Sequence, residues 1–109
     1  LVLEESLPAL NLSYVDLLLM HWPCKDRSDR CPGADSAAAR LATWQGLREL
    51  RRRGAARSIG VSNFRLEHLE QLLPHARNTS GNKSEVALNQ VEWHLGWHDD
   101  ALLAFCRAR

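Results

Sequence analysis

Three short apolar runs, each closed by a cluster of polar residues, organise this chain. The first spans 14–20 and ends in His21-Trp22-Pro23, the second spans 57–61 and ends in Ser62-Asn63-Phe64, and the third runs from Glu85 through Asn89-Gln90 to His94. Between them apolar residues recur every three or four positions, at Leu41, Trp44, Leu47 and Leu50 and again at Leu66, Leu69, Leu72 and Leu73. Short apolar runs bounded by turn formers predict strands, and the wider spacing predicts amphipathic helices. Strands that alternate with helices predict a parallel sheet.

In more detail, 1–10 reads as the end of a helix disturbed by Pro8, and 14–20 as a strand apolar enough to be covered on both faces. A helix is predicted from Ser36 to Arg53, with Gly54 as its C-terminal cap and Trp44 assigned to the core. A strand over Arg57 to Val61 runs with almost no loop into a helix that reaches Leu73. The final helix opens on Asp99 and Asp100 as caps and carries Leu102, Leu103 and Phe105. The polar segment 23–35 is, at about a dozen positions, long for a compact domain and is a candidate substrate-shaping loop. The polar stretch 76–85 reads as a surface loop and not as a domain linker.

Composition narrows the function. With 109 residues, 45% hydrophobic and 25% charged, the chain has the make-up of one globular domain. Fourteen basic residues against 13 acidic ones leave a net charge of +1, which argues against a protein that binds nucleic acid by neutralising phosphates. The arginines at 48, 51, 52, 53 and 57 read as solvent-facing cations, most of them suited to the end of a helix dipole. Val15 to Met20 is too short to cross a bilayer, and no targeting pattern opens the chain. Cys24, Cys31 and Cys106 contain no CxxC pair, so reduced thiols in a cytoplasmic protein are expected. His94 and His98 lack a helix and an acidic third ligand, and no metal site is expected. Asn-x-Ser/Thr triplets at Asn11, Asn78 and Asn82 would matter only in a secreted chain.

In parallel β/α proteins ligands collect at the C-terminal ends of the strands, which is where His21, Ser62, Asn63 and Gln90 fall. A histidine there can donate to a carbonyl oxygen that gains negative charge. Hydroxyl and amide side chains can pin a flat carboxamide without using charge. Each residue also has a plainer reading. His21 can be structural, Ser62 or Asn63 can cap the following helix, Gln90 can be a polar core residue, and Trp22 can simply fill volume.

The motifs Tyr14-Val-Asp-Leu-Leu-Leu-Met-His-Trp-Pro23, Ser58-Ile-Gly-Val-Ser-Asn-Phe64 and Asn89-Gln-Val-Glu-Trp-His94, in this order and spacing, resemble the aldo-keto reductases. The resemblance covers nearly the whole chain. It implies an α/β fold, the parallel (β/α)8 TIM barrel, of which 1–109 supplies about three βα units as a partial domain truncated at both ends. It also implies an oxidoreductase that reduces small aldehydes or ketones with NADPH. By the same resemblance His21 is the active-site histidine, Ser62, Asn63 and Gln90 bind the nicotinamide amide, and Trp22 lines the substrate pocket. The family's catalytic tyrosine, lysine and aspartate would lie upstream of Leu1, so this fragment alone is expected to be inactive. The alternative from another class is a reductase-like NADPH-binding regulatory subunit without turnover, or an inactive truncated product. One departure stands out: Leu95 replaces the family's usual proline after His94.

Overall fold

The structure, a computed structural model, describes residues 2–24, 34–77 and 83–109. Its elements are α1 (Val2–Ala9), β1 (Val15–Met20), α2 (Ala34–Arg52), β2 (Ala56–Ser62), α3 (Leu66–Leu72), a single 3-10 turn (Leu73–His75), β3 (Val86–Gln90) and α4 (Asp100–Arg107). The three strands form one parallel sheet in the order β1-β2-β3. That alternation follows from the sequence pattern, because parallel neighbours need a crossover and each crossover here is a helix.

β2 is central and carries the core. Ile59 and Val61 are fully buried and lie level with Leu18 and Met20 of β1. Together with Trp44 and Leu47 of α2, Phe64, and Leu69 and Leu72 of α3, these side chains form one cluster. Alternation along a strand sends the intervening residues to the other face. That face carries Leu17, Ser58 and Gly60, and it is open: Leu17 is 38% exposed and Leu88 of β3 is 41% exposed. The expectation that β1 is covered on both faces therefore holds, among the described residues, only on the side that the helices reach.

Two devices hold the helices against the sheet. The Gly54 amide donates to Arg51 O and the Ala55 amide to Leu50 O, both at 3.0 Å, with Gly54 at φ +80°. This paired closure turns the chain sharply from α2 into β2 and needs a residue that tolerates the left-handed region. Further along, Arg48 Nε lies 2.7 Å from Glu85 Oε2 and Arg51 reaches Glu85 Oε1 at 3.7 Å, which ties α2 to the start of β3.

Three local readings need correcting. The cap of α3 is Arg65, and neither Ser62 nor Asn63 serves, because the chain stays irregular for three residues after β2. Pro74 shortens α3 and forces the 3-10 turn. Cys24 is disulfide-bonded, whereas Cys106 is a free thiol. Pairing depends on Cβ geometry and not on a CxxC spacing, and a disulfide at Cys24 removes the thiol argument for a reducing compartment. The segment 25–33, with most of the predicted substrate-shaping loop, lies outside the described residues, as do Asn78 and Asn82. Among the described residues no helix is long and apolar enough to cross a membrane.

At Gly60, where the register between β2 and β3 shifts, a Cβ would stand 2.7 Å from Leu88 O and 2.9 Å from a Leu19 methyl. A backbone oxygen cannot step aside, so Gly60→Ala is expected to destabilise the protein by about 1–3 kcal/mol. The measurement is the urea midpoint at unchanged m-value; an unshifted midpoint would mean that β3 does not pack this closely.

Candidate functional site

The chain leaves β2 at Ser62 and begins α3 at Leu66, and the bend between them is made by Asn63 at φ +60°. Few L-residues accept that conformation, and asparagine is among those that do. The bend is tied to both neighbouring strands. Toward β3, the Asn63 amide donates to Gln90 O at 3.0 Å and Ser62 Oγ donates to the same oxygen at 2.8 Å. Toward β1, Asn63 Nδ2 donates to His21 O at 2.8 Å, and to Ser62 Oγ at 3.2 Å. The ends of all three strands are thereby joined through Ser62 and Asn63.

Asn89, one position before Gln90, grips the next residue of the bend. Its Nδ2 donates to Phe64 O at 2.8 Å, and its Oδ1 accepts from the Phe64 amide at 3.4 Å. Phe64 itself is buried, with its ring edge-on to His68 at 5.8 Å between centroids. His68 Nδ1 accepts from the Arg65 amide at 3.2 Å, satisfying a donor at the start of α3. On the β1 side, buried Arg40 of α2 donates to Pro23 O at 3.5 Å and to Gln71 of α3. Burial pushes the Arg40 pKa below its ordinary value, yet a guanidinium remains charged.

An open groove of about 740 Å³ lies at this end of the sheet. Trp22, Asn63, Arg65, Val91, Trp97 and His98 line it, and so do the carboxylate residues Glu67, Glu92, Asp99 and Asp100. Of the five residues expected at the site, Trp22 and Asn63 line the groove. His21, Ser62 and Gln90 stand beside it and belong to the hydrogen-bonded chain, His21 and Gln90 through their main-chain oxygens. The His21 ring is exposed and lies 5.6 Å from the Trp22 ring at a 34° tilt. The Gln90 amide group is likewise on an exposed residue. Sequence reasoning missed Asn89, Trp97 and His98; the position of Asn89 beside Gln90 at a strand end was the one signal available for it.

The segment after β3 closes on itself. His94 and Trp97 exchange two main-chain hydrogen bonds, of 2.9 and 3.0 Å, around a tight turn whose corners are Leu95 and Gly96. His94 Nδ1 accepts from the Gly96 amide at 3.1 Å, so in the neutral ring Nε2 carries the proton and donates to Glu92 at 2.8 Å. Both ring nitrogens are thus committed to the turn. His98 instead packs at 5.5 Å from the Trp93 ring. Asp99 accepts from the Leu102 amide at 2.9 Å and caps α4 as the sequence predicts.

The parallel β/α order, with polar side chains gathered at the C-terminal strand ends, defines a class of proteins that bind ligands over that edge. Within it, the chain belongs to the Aldo/keto reductase family, whose model matches residues 2–109. It is 33% identical to aldehyde reductase YPR1 of Saccharomyces cerevisiae over 98% of this chain and 38% of that protein. It is 37% identical to glyoxal reductase of Bacillus subtilis over 97% of this chain and 32% of that protein. Among solved structures, an aldo/keto reductase from Brucella melitensis superposes with a TM-score of 0.76 at 34% identity, covering 98% of this chain and 36% of the other. The silkworm aldo-keto reductase AKR2E5 complexed with NADPH gives 0.72 at 35% identity, with 97% and 30% covered. The chain therefore spans about a third of the length of these relatives. Its three strands and their helices are part of the family's (β/α)8 barrel.

Leu95 sits at the first corner of its turn, where proline is favoured and no amide donor is required. Leu95→Pro is expected to leave the fold intact and to raise its stability by about 0.4–1 kcal/mol through the unfolded chain. A fall in melting temperature would show that this corner has a backbone geometry closed to proline.

Proposed function

We propose that residues 1–109 are part of the catalytic domain of an NADPH-dependent oxidoreductase that reduces small aldehydes or ketones to alcohols. The observation that carries this reading is that Ser62 and Asn63, at the end of β2, hydrogen-bond to each other and to the main-chain oxygens of His21 and Gln90 at the ends of the two neighbouring strands. The names of two relatives, an aldehyde reductase and a glyoxal reductase, support a carbonyl substrate, and the silkworm enzyme complexed with NADPH supports the cofactor.

The donor set suits a nicotinamide carboxamide. Asn63 commits Nδ2 to His21 O and keeps Oδ1 as an acceptor for an amide N–H. Ser62 Oγ donates to Gln90 O and accepts from Asn63, which leaves it one lone pair. Gln90, exposed on the adjoining strand, offers both a donor and an acceptor. When bound, the reduced nicotinamide supplies the hydride. These three side chains would hold its carboxamide, which would convert a diffusive encounter into a positioned one. His21 directs an N–H to the substrate carbonyl and stabilises charge as it builds on oxygen. A tyrosine outside these residues hands over the proton. Trp22 walls the groove with an aromatic face that favours apolar carbonyl compounds.

The test is NADPH consumption by the full-length protein with an aromatic aldehyde, comparing wild type with His21→Ala. The variant is expected to lose at least about a hundredfold in kcat while its Kd for NADPH stays the same. An unchanged rate removes His21 from the mechanism. Tight NADPH binding by wild type without turnover would instead select the regulatory-subunit reading.

A further inference from the structure

The geometry points to Asn89 as a positioning residue for the nicotinamide pocket: its side chain clamps both main-chain polar groups of Phe64 and so sets the bend that carries Ser62 and Asn63. This inference rests on the proposed cofactor reading and adds to it a residue that touches neither cofactor nor substrate.

Three observations converge on it. First, a primary amide facing the N–H and the C=O of one residue can satisfy both in one orientation only, with Nδ2 on the oxygen and Oδ1 on the nitrogen. That is the arrangement found, at 2.8 and 3.4 Å. Second, the clamped residue follows Asn63, whose φ of +60° is a conformation that needs support from its surroundings. Third, Asn89 lies level with Val61 and Gln90 level with Ser62, so one strand end supplies the clamp on Phe64 and the acceptor for Ser62 and Asn63 together. Phe64, Asn63 and Ser62 are thus held by consecutive residues of β3. If the grip on Phe64 is released, the peptide between Asn63 and Phe64 can rotate. The Asn63 amide group, whose direction depends on that backbone, then loses its fixed aim. An apolar side chain at 89 would also leave the Phe64 amide and carbonyl without these partners.

The experiment uses the full-length protein and two probes: NADPH, and 2′,5′-ADP, which contains the adenosine end of the cofactor and no nicotinamide. For Asn89→Ala, the Kd for NADPH is expected to rise about tenfold, as loss of two ordinary hydrogen bonds allows, while the Kd for 2′,5′-ADP stays unchanged. Hydrogen exchange of the Phe64 amide in the cofactor-free protein should quicken in the same variant. Asn89→Asp is nearly isosteric, keeps the acceptor and loses the donor; it should show the same pattern and covers the case in which the alanine variant fails to fold. Equal weakening of both probes would mean general loosening, and an unchanged NADPH Kd would mean no positioning role; either overturns the inference. Wild-type protein that fails to bind NADPH would sink the functional reading and the cofactor half of this one. Unchanged Phe64 exchange in the Asn89 variants would sink the clamp itself.

Discussion

The bend at Ser62-Asn63-Phe64 is the constraint on which the candidate site depends. A chain that leaves a buried central strand and starts a helix within three residues has little freedom, and here the freedom is removed by partners on both sides. His21 O anchors Asn63 from β1, and Gln90 O anchors Asn63 and Ser62 from β3. Because the anchors are main-chain oxygens at strand ends, they inherit the stiffness of the sheet. That stiffness rests in turn on the burial of Ile59 and Val61 against α2 and α3. The path from core to site is short: apolar packing fixes β2, β2 fixes its own end, and the end fixes two side chains.

Much of this was legible in the sequence because it follows from local pattern. The strands could be read from apolar runs, α2 from its stripe through Trp44, the Gly54 closure from a glycine after an apolar period, and the Asp99 cap from an aspartate before one. The positions of His21, Ser62, Asn63 and Gln90 at strand ends followed from those elements. What stayed hidden was set by contacts between distant parts of the chain. Asn89 sits 25 positions from Phe64, and nothing in either local pattern announces that their polar groups meet. Trp97 and His98 reach the groove only because the turn at Leu95 and Gly96 folds the chain back toward β2. The cap of α3 was misplaced for a related reason. Ser62 and Asn63 are good capping residues by type, but their side chains are committed across the sheet, so the free donor at Arg65 is met by His68 instead.

The two faces of the sheet obey different rules. On the helix side, alternate residues are large and buried and could be exchanged for others of similar volume at modest cost. On the other side Gly60 leaves no room for even a methyl, since Leu88 O stands 2.7 Å from where it would be. Gly60 sits where the register of β2 against β3 shifts, so a side chain there would meet the neighbouring main chain. The exposed Leu17 and Leu88 belong to the same face and have the apolar character of interior layers. An apolar inward face therefore lies beneath polar strand ends, which separates packing from the proposed recognition.

The charges around the groove bear on the proposed recognition. Glu67, Glu92, Asp99 and Asp100 outnumber Arg65 around the groove, and two of the four carboxylates are already engaged, Glu92 with His94 and Asp99 with the Leu102 amide. Hydrogen bonding within the protein does not cancel their charge. A phosphate or carboxylate placed against these carboxylates would feel repulsion that decays over about 8 Å at physiological salt, whereas a neutral amide or carbonyl would not, so the proposed cofactor would meet them with its nicotinamide amide and not with its phosphates. The groups at the strand ends complement that field. A cationic side chain there would be drawn to these carboxylates, while serine, asparagine and glutamine would, in the proposed role, bind through paired donors and acceptors and leave the net charge unchanged. The neutral amide end of the proposed cofactor would thus be favoured here from two independent sources, repulsion of anions by the carboxylates and complementary dipoles beside them. Of the two, the dipoles supply the directionality, because only they depend on how the bend is held.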